Sequence, residues 1–149
     1  MTTHFNIRVY GLCIHEGSIL AVEEPVGEKR ILKFPGGGLE FGEGLIDGLK
    51  REFREELHCA IKDIRHFYTT DFFVQSFLNP SHQVISVYYT VQADVRRMQL
   101  DGDDQLQFKW IPMDTLHEDM FALPIDKVVV QMLHADGAGS LEAYHYFPL

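Results

Sequence analysis

Between Gly36 and Glu56 the chain passes from three consecutive glycines, entered through Pro35, into an amphipathic segment carrying Glu52, Glu55 and Glu56. No other stretch restricts the fold as much. Leu45, Leu49, Phe53 and Leu57 recur every fourth residue, so Leu45 to His58 reads as a helix with one apolar face. The three glutamates stand at i, i+3 and i+4 and share another face of that helix. Like charges at this spacing cost a few tenths of a kcal/mol (roughly) per exposed pair, so a purely structural helix gains nothing from them. One reading is a solvated charged face, softened by Lys50, Arg51 and Arg54. The other is a cradle for a hard divalent cation, which takes oxygen ligands. The upstream glycines favour the cradle, because Gly36, Gly37 and Gly38 let the backbone approach a ligand closely. Their carbonyls suit a metal and their amides suit a phosphate. Gly48 weakens the helix by roughly 1 kcal/mol against Ala, which a close packing contact would explain.

The remaining elements supply a sheet for this helix. Phe5 to His15 and Ile19 to Glu23 read as a hairpin turning at Glu16-Gly17-Ser18. Pro25 to Lys29 reads as a loop, and Ile31 to Phe34 as a short strand ending at Pro35. Ala60 to Phe77 reads as one or two strands, Gln83 to Ala93 as another, and Gln105 to Ile111 as a strand stopped by Pro112. Asp114 to His117 is expected as a short helix, Pro124 to Ala135 as a second long helix with Pro in its first turn, and Ala143 to Phe147 as a last strand. No repeat or linker interrupts the pattern. The expectation is one layered domain over residues 1–149, of α/β class (α+β by some schemes), built on a mixed sheet.

Composition narrows the partners. At 149 residues, 46% of them apolar, the chain can bury a core. No apolar run approaches the length of a membrane span, and the first six residues lack a secretory pattern. Cys13 and Cys59 fit no metal-ligand spacing and read as buried, reduced thiols, which points to a cytoplasmic location. The net charge of −9 disfavours a nucleic acid polymer. A small phosphorylated ligand fits only with divalent cations to offset the negative charge.

The run from Gly37 through Glu43, Arg51, Glu52, Phe53, Glu55, Glu56 and His58 to Cys59 resembles the Nudix box, G-x5-E-x7-R-E-U-x-E-E-x-G-U with U a bulky aliphatic residue. Gly37, Glu43, Arg51, Glu52, Glu55 and Glu56 match in type and spacing. Phe53 stands for the first aliphatic, His58 for the last glycine and Cys59 for the last aliphatic. The glycine normally ends the helix in a left-handed conformation, which His tolerates better than most residues. The likeness reaches over roughly residues 7 to 116, through Arg8 to Cys13, Ile19 to Glu23, Phe34 to Gly38 and Phe108 to Leu116, with only the box being specific. It implies the Nudix fold, an α/β/α sandwich around a mixed sheet. It also implies hydrolysis of a nucleoside diphosphate linked to another group, with Mg²⁺ or Mn²⁺. Many members of the family pair as homodimers, a state that no residue of this chain decides.

On this resemblance Glu52, Glu55 and Glu56 hold the metals, with Gly36 or Gly37 adding a carbonyl. Glu55 is the first candidate for the base, and Glu40, Glu43, Asp103 and Asp104 are others. Arg51, one turn from Glu55, is expected to orient it. Gly36, Gly38, Glu40, Glu43 and Lys33 are expected near the substrate. Phe67, Tyr68, Phe72, Phe73 and Phe77 offer a surface for a base, although alternation favours core packing for most of them. Trp110 is expected in the core beside Pro112, and the scattered histidines form no ligand set. The residues around Asp71 to Ser76 hold no proline of the ADP-ribose subgroup, and no Ser-Gln-Pro-Trp run of the NADH subgroup occurs. A nucleoside triphosphate or a small nucleoside diphosphate derivative is therefore favoured. A catalytically silent ligand sensor on the same fold and a prenyl diphosphate isomerase are the competing readings; the second would need Cys59 in the site.

Overall fold

In the computed structural model, which describes residues 1–100 and 105–135, the chain forms seven strands and two long helices. They run in the order β1 (His4–His15), β2 (Ser18–Val26), β3 (Lys29–Lys33), β4 (Gly36–Gly38), α1 (Leu45–Leu57), β5 (Ile61–Thr69), β6 (His82–Ala93), β7 (Gln107–Pro112) and α2 (Pro124–Ala135).

The sheet is mixed, and it splits where the site lies. β1 runs parallel to β6, from His4↔His82 to Cys13↔Val91, and β5 continues that half antiparallel to β6. β2 pairs with β1 only at the hairpin end, through Ile14↔Ile19 and His15↔Ser18, and then diverges to pair with β3 and β7. The edge of β1 that β2 leaves is taken by β4, which pairs Gly38, Gly37 and Gly36 with Arg8, Val9 and Tyr10. Two of the three glycines are required by space: a Cβ on Gly36 would overlap the Val9 carbonyl oxygen and one on Gly37 would stand 2.6 Å from Glu52 Oε1, whereas Gly38 has room.

Alternation along the strands loads both faces. Val9, Cys13, Val87, Tyr89 and Val91 pack with Leu49, Phe53 and Leu57 of α1. Those three helix residues are fully buried, and each stabilises the fold by about 1.5–3 kcal/mol. On the opposite face Tyr10, Leu12, Phe34 and Tyr88 pack with Ile125, Val129, Val130 and Leu133 of α2. A helix on each face of a mixed sheet is the expected sandwich.

Several boundaries differ from the sequence reading. The Pro25–Lys29 loop is mostly strand: β2 runs on to Val26, pairs with Lys29 and turns over Gly27 and Glu28. The short helix expected at Asp114–His117 is a turn, with Thr115 and Leu116 amides donating to the Pro112 carbonyl. A 3₁₀ turn follows at Glu118–Met120, capped by the His117 ring, which accepts from the Asp119 amide. Only one strand, β5, forms before Phe77. Phe72, Phe73 and Phe77 are exposed, which overturns core packing for them, whereas Phe67 and Tyr68 are partly buried. Trp110 is half-buried beside His15. The strand expected at Ala143–Phe147 lies outside the described residues, as do Asp103 and Asp104.

Candidate active site

Helix α1 stops at His58, which adopts the left-handed conformation (φ 53°, ψ 37°). The His58 and Cys59 amides donate to the Arg54 and Phe53 carbonyls, closing the last turn. The residue that departs from the box therefore keeps the glycine's backbone shape.

Arg51 organises the acidic side of the helix. Its Nη2 donates to Glu43 Oε1 at 2.8 Å and to the Gly38 carbonyl at 3.0 Å. Its Nε donates to Glu43 Oε2 at 3.0 Å, and its Nη1 to Glu52 Oε1 at 3.0 Å and Glu55 Oε2 at 3.2 Å. Glu40 lies 3.6 Å from Nε. The guanidinium and the Glu40 amide hold the Glu43 carboxyl down to about 2. Both Glu43 oxygens accept from Arg51, and one also from the Glu40 amide, so Glu43 supports the guanidinium. Arg51 reaches Glu52 and Glu43 as well as Glu55, so it ties these three carboxylates together.

The glutamates are not equivalent. Glu52 is nearly buried, with its carboxylate oxygens 2.6 and 2.9 Å from where a Cβ would stand on Gly37. Only glycine permits that approach. Glu56 sits against Glu52; burial, and then the Glu52 charge, push its carboxyl well above the usual range, while Lys33 pulls it back. Glu55 is more than half exposed. Two crowded carboxylates, one resisting ionisation, beside a third at the rim form an all-oxygen donor set that a divalent cation would relieve. Such a donor set would suit a hard divalent cation. Among the described residues no three metal-ligating side chains, these glutamates included, stand close enough together to form a ready-made metal site.

Across the sheet lies a cavity of about 200 Å³. Its polar lining includes Asn6, Arg8, Glu24, Lys33, Ser86 and Tyr88, and its apolar walls come from β3, β6, the Val74–Leu78 segment and the start of α2. Lys33, placed near the substrate by the sequence, is buried there and paired with Glu24 at 3.0 Å. Of the aromatic candidates only Phe77 reaches this cavity. Behind it the Tyr88 hydroxyl donates to Asp126 Oδ1 at 2.5 Å, while Asp126 Oδ2 is buried without a partner among the described residues. Burial raises the Asp126 carboxyl to about 7. Sequence reasoning missed Arg8, Glu24, Tyr88 and Asp126. The available signal was an arginine at an inward position of an apolar strand.

Cys59 is buried under α1, its thiol donating to the Ala60 and Asp94 carbonyls, and burial raises its pKa. Cys59 does not line the cavity, so the site lacks the thiol that the isomerase reading needs. Cys13 is likewise buried and free.

A sequence model described as the NUDIX domain matches residues 3–132. The chain belongs to the NUDIX family and is a Nudix-type hydrolase. No curated protein matches it by sequence. Among solved structures it is similar to a NUDIX hydrolase from Nitrosomonas europaea, with a TM-score of 0.69 and 23% identity over 87% of this chain and 88% of that one. It also resembles the E. coli ORF135 protein, at TM-score 0.72 and 16% identity over 92% and 94%. A MutT NUDIX hydrolase from Burkholderia pseudomallei gives TM-score 0.72 and 15% identity over 88% and 99%. At these identities the likeness is one of fold. Among the described residues no helix is long and apolar enough to cross a membrane.

Proposed function

We propose that the protein hydrolyses a diphosphate bond in a small nucleotide-like substrate with Mg²⁺ or Mn²⁺. The observation that carries this is the approach of Glu52 to Gly37 with Glu56 beside it, Glu55 at the rim, and a cavity across the sheet. Glu52, Glu55 and Glu56 would hold the metal. A bound divalent cation supplies charge neutralisation and Lewis acidity to the phosphates. The chain does the rest. Arg51 fixes Glu52 and Glu55 before substrate arrives, which limits reorganisation during reaction. Glu55, exposed and held by one hydrogen bond from Arg51, accepts the proton of the attacking water. The cavity takes the nucleoside end, where apolar walls and a few polar groups suit a base. A nucleoside triphosphate or a small nucleoside diphosphate derivative fits best. Two buried, unpaired thiols favour a cytoplasmic setting.

The test is phosphate release from a panel of nucleoside triphosphates, oxidised nucleotides, ADP-ribose, dinucleoside polyphosphates and nucleotide sugars, with Mg²⁺ and then Mn²⁺. Metal-dependent turnover lost in Glu56→Gln is expected. Binding without turnover by the folded wild-type protein would replace this reading with that of a ligand sensor.

A further inference from the structure

Arg8 lies between the acidic rim and the cavity. It lines the cavity from β1 and pairs in register with Gly38 of β4. Its Nη1 lies 3.7 Å from where a Cβ would stand on Gly38, next to the glycine that admits Glu52. Electrostatically it sees Glu52 on one side and Glu24 on the other. Its Nε donates to the Tyr10 hydroxyl at 2.5 Å, and its guanidinium carbon stands 5.6 Å from the centroid of the Tyr10 ring. Tyr10 is itself buried, so the guanidinium is held in place.

What it lacks is an anion. Among the described residues Arg8 has no ion pair, whereas Lys33 beside it is already bonded to Glu24. A partly buried guanidinium loses hydration, and only a paired negative group restores the balance. Its two terminal nitrogens remain to donate, in the fork geometry that matches phosphate oxygens.

We propose that Arg8 binds the substrate's diphosphate, holding a non-bridging oxygen where the substrate passes from the glutamates into the cavity. This rests on the hydrolase reading above. It makes the cavity's entrance selective for an anionic linkage and leaves base recognition to groups deeper in.

The probe is methylenediphosphonate, a non-hydrolysable diphosphate with no base, titrated calorimetrically into the Mg²⁺-loaded protein. Arg8→Gln should weaken its binding roughly 10- to 100-fold, the scale of a hydrogen bond to a charged group. Arg8→Lys should recover only part of this, since the fork and the Tyr10 bond are lost. Arg96→Gln, which removes the same charge from an exposed turn, should bind as the wild type does. Equal binding by wild type and Arg8→Gln, or an equal loss in Arg96→Gln, would overturn the assignment. If Arg8→Gln does not fold, Tyr10→Phe loosens the same guanidinium; a several-fold weakening is expected, and no change overturns the proposal. Phosphate release is measured on the same wild-type preparation. Turnover without an Arg8 effect sinks the clamp alone, while an Arg8 effect without turnover of any nucleotide keeps the clamp and sinks the hydrolase reading.

Discussion

On the α1 face of the sheet the charged groups sit at the rim and hold one another: Arg51 alone touches Glu43, Glu52, Glu55 and the Gly38 carbonyl. On the α2 face the polar groups lie beneath an apolar roof, and the buried Asp126 oxygen has no partner among the described residues. The first region is braced before any ligand arrives. The second leaves one buried oxygen unpaired behind the cavity, among the described residues. Rim substitutions should therefore act on turnover, and cavity substitutions on stability, pH dependence and substrate affinity.

The largest expected effect is at Glu56. Glu56→Gln removes an oxygen that the proposed metal site uses, and the carboxylate charge beside Glu52. Loss of several kcal/mol of transition-state stabilisation predicts a fall in kcat of roughly 10²- to 10⁴-fold. Stability should hold or rise, because the crowded pair loses its repulsion. A thermal melt beside the kinetics checks both, and a destabilised variant would contradict the crowding. Next comes Arg51→Lys. One ammonium cannot reproduce five contacts from a planar fork, so kcat should drop roughly 10- to 100-fold, the usual scale for a group that orients ligands. An unchanged kcat would show that the rim needs no brace.

The two faces also differed in how legible they were. The α1 face is written in one contiguous segment, so spacing alone places Glu52, Glu55 and Glu56 together, and His58 could be read as a left-handed helix end. The cavity is assembled from β1, β3, β6 and α2, and the parallel pairing that sets Arg8 beside Ser86 joins residues far apart in sequence. Asp126 stands in the first turn of α2, and nothing local in the sequence says that this helix end is buried. The Pro25–Lys29 segment misled for the opposite reason. Proline and glycine suggested a loop, yet proline is tolerated in a strand where its missing amide goes unused.

Asp126 gives the sharpest test of the α2 face. Its carboxyl stands near 7 in the fold against an ordinary 3.8, so between those values the folded chain binds a proton that the unfolded chain does not. Its contribution is complete below the unfolded value and is lost as pH rises through about 7. Asp126→Asn keeps an oxygen for Tyr88 and cannot ionise. It should gain stability over wild type at pH 8 by on the order of a few kcal/mol at most, with much less gain at pH 5. Urea unfolding at both pH values decides this, and a gain independent of pH would remove the buried ionisation from the account.

The smallest expected effect separates geometry from stability on the α1 face itself. Gly48 lies inside α1, where alanine would ordinarily gain roughly 1 kcal/mol. A Cβ there would stand 2.9 Å from Leu39 Cδ1 and 3.0 Å from Glu43 Oε1. Leu39 Cδ1 is a movable chain end. Glu43 is not free to move, because the same Oε1 accepts from Arg51 and from the Glu40 amide. Gly48→Ala should therefore leave stability within about 0.5 kcal/mol of wild type, as the helix gain and the displaced contacts offset each other. Activity should still fall several-fold, because a shifted Glu43 shifts Arg51 and, through it, Glu52 and Glu55. A stabilised variant with full activity would mean that Glu43 can move without consequence, and the brace would then run through Glu52 and Glu55 alone.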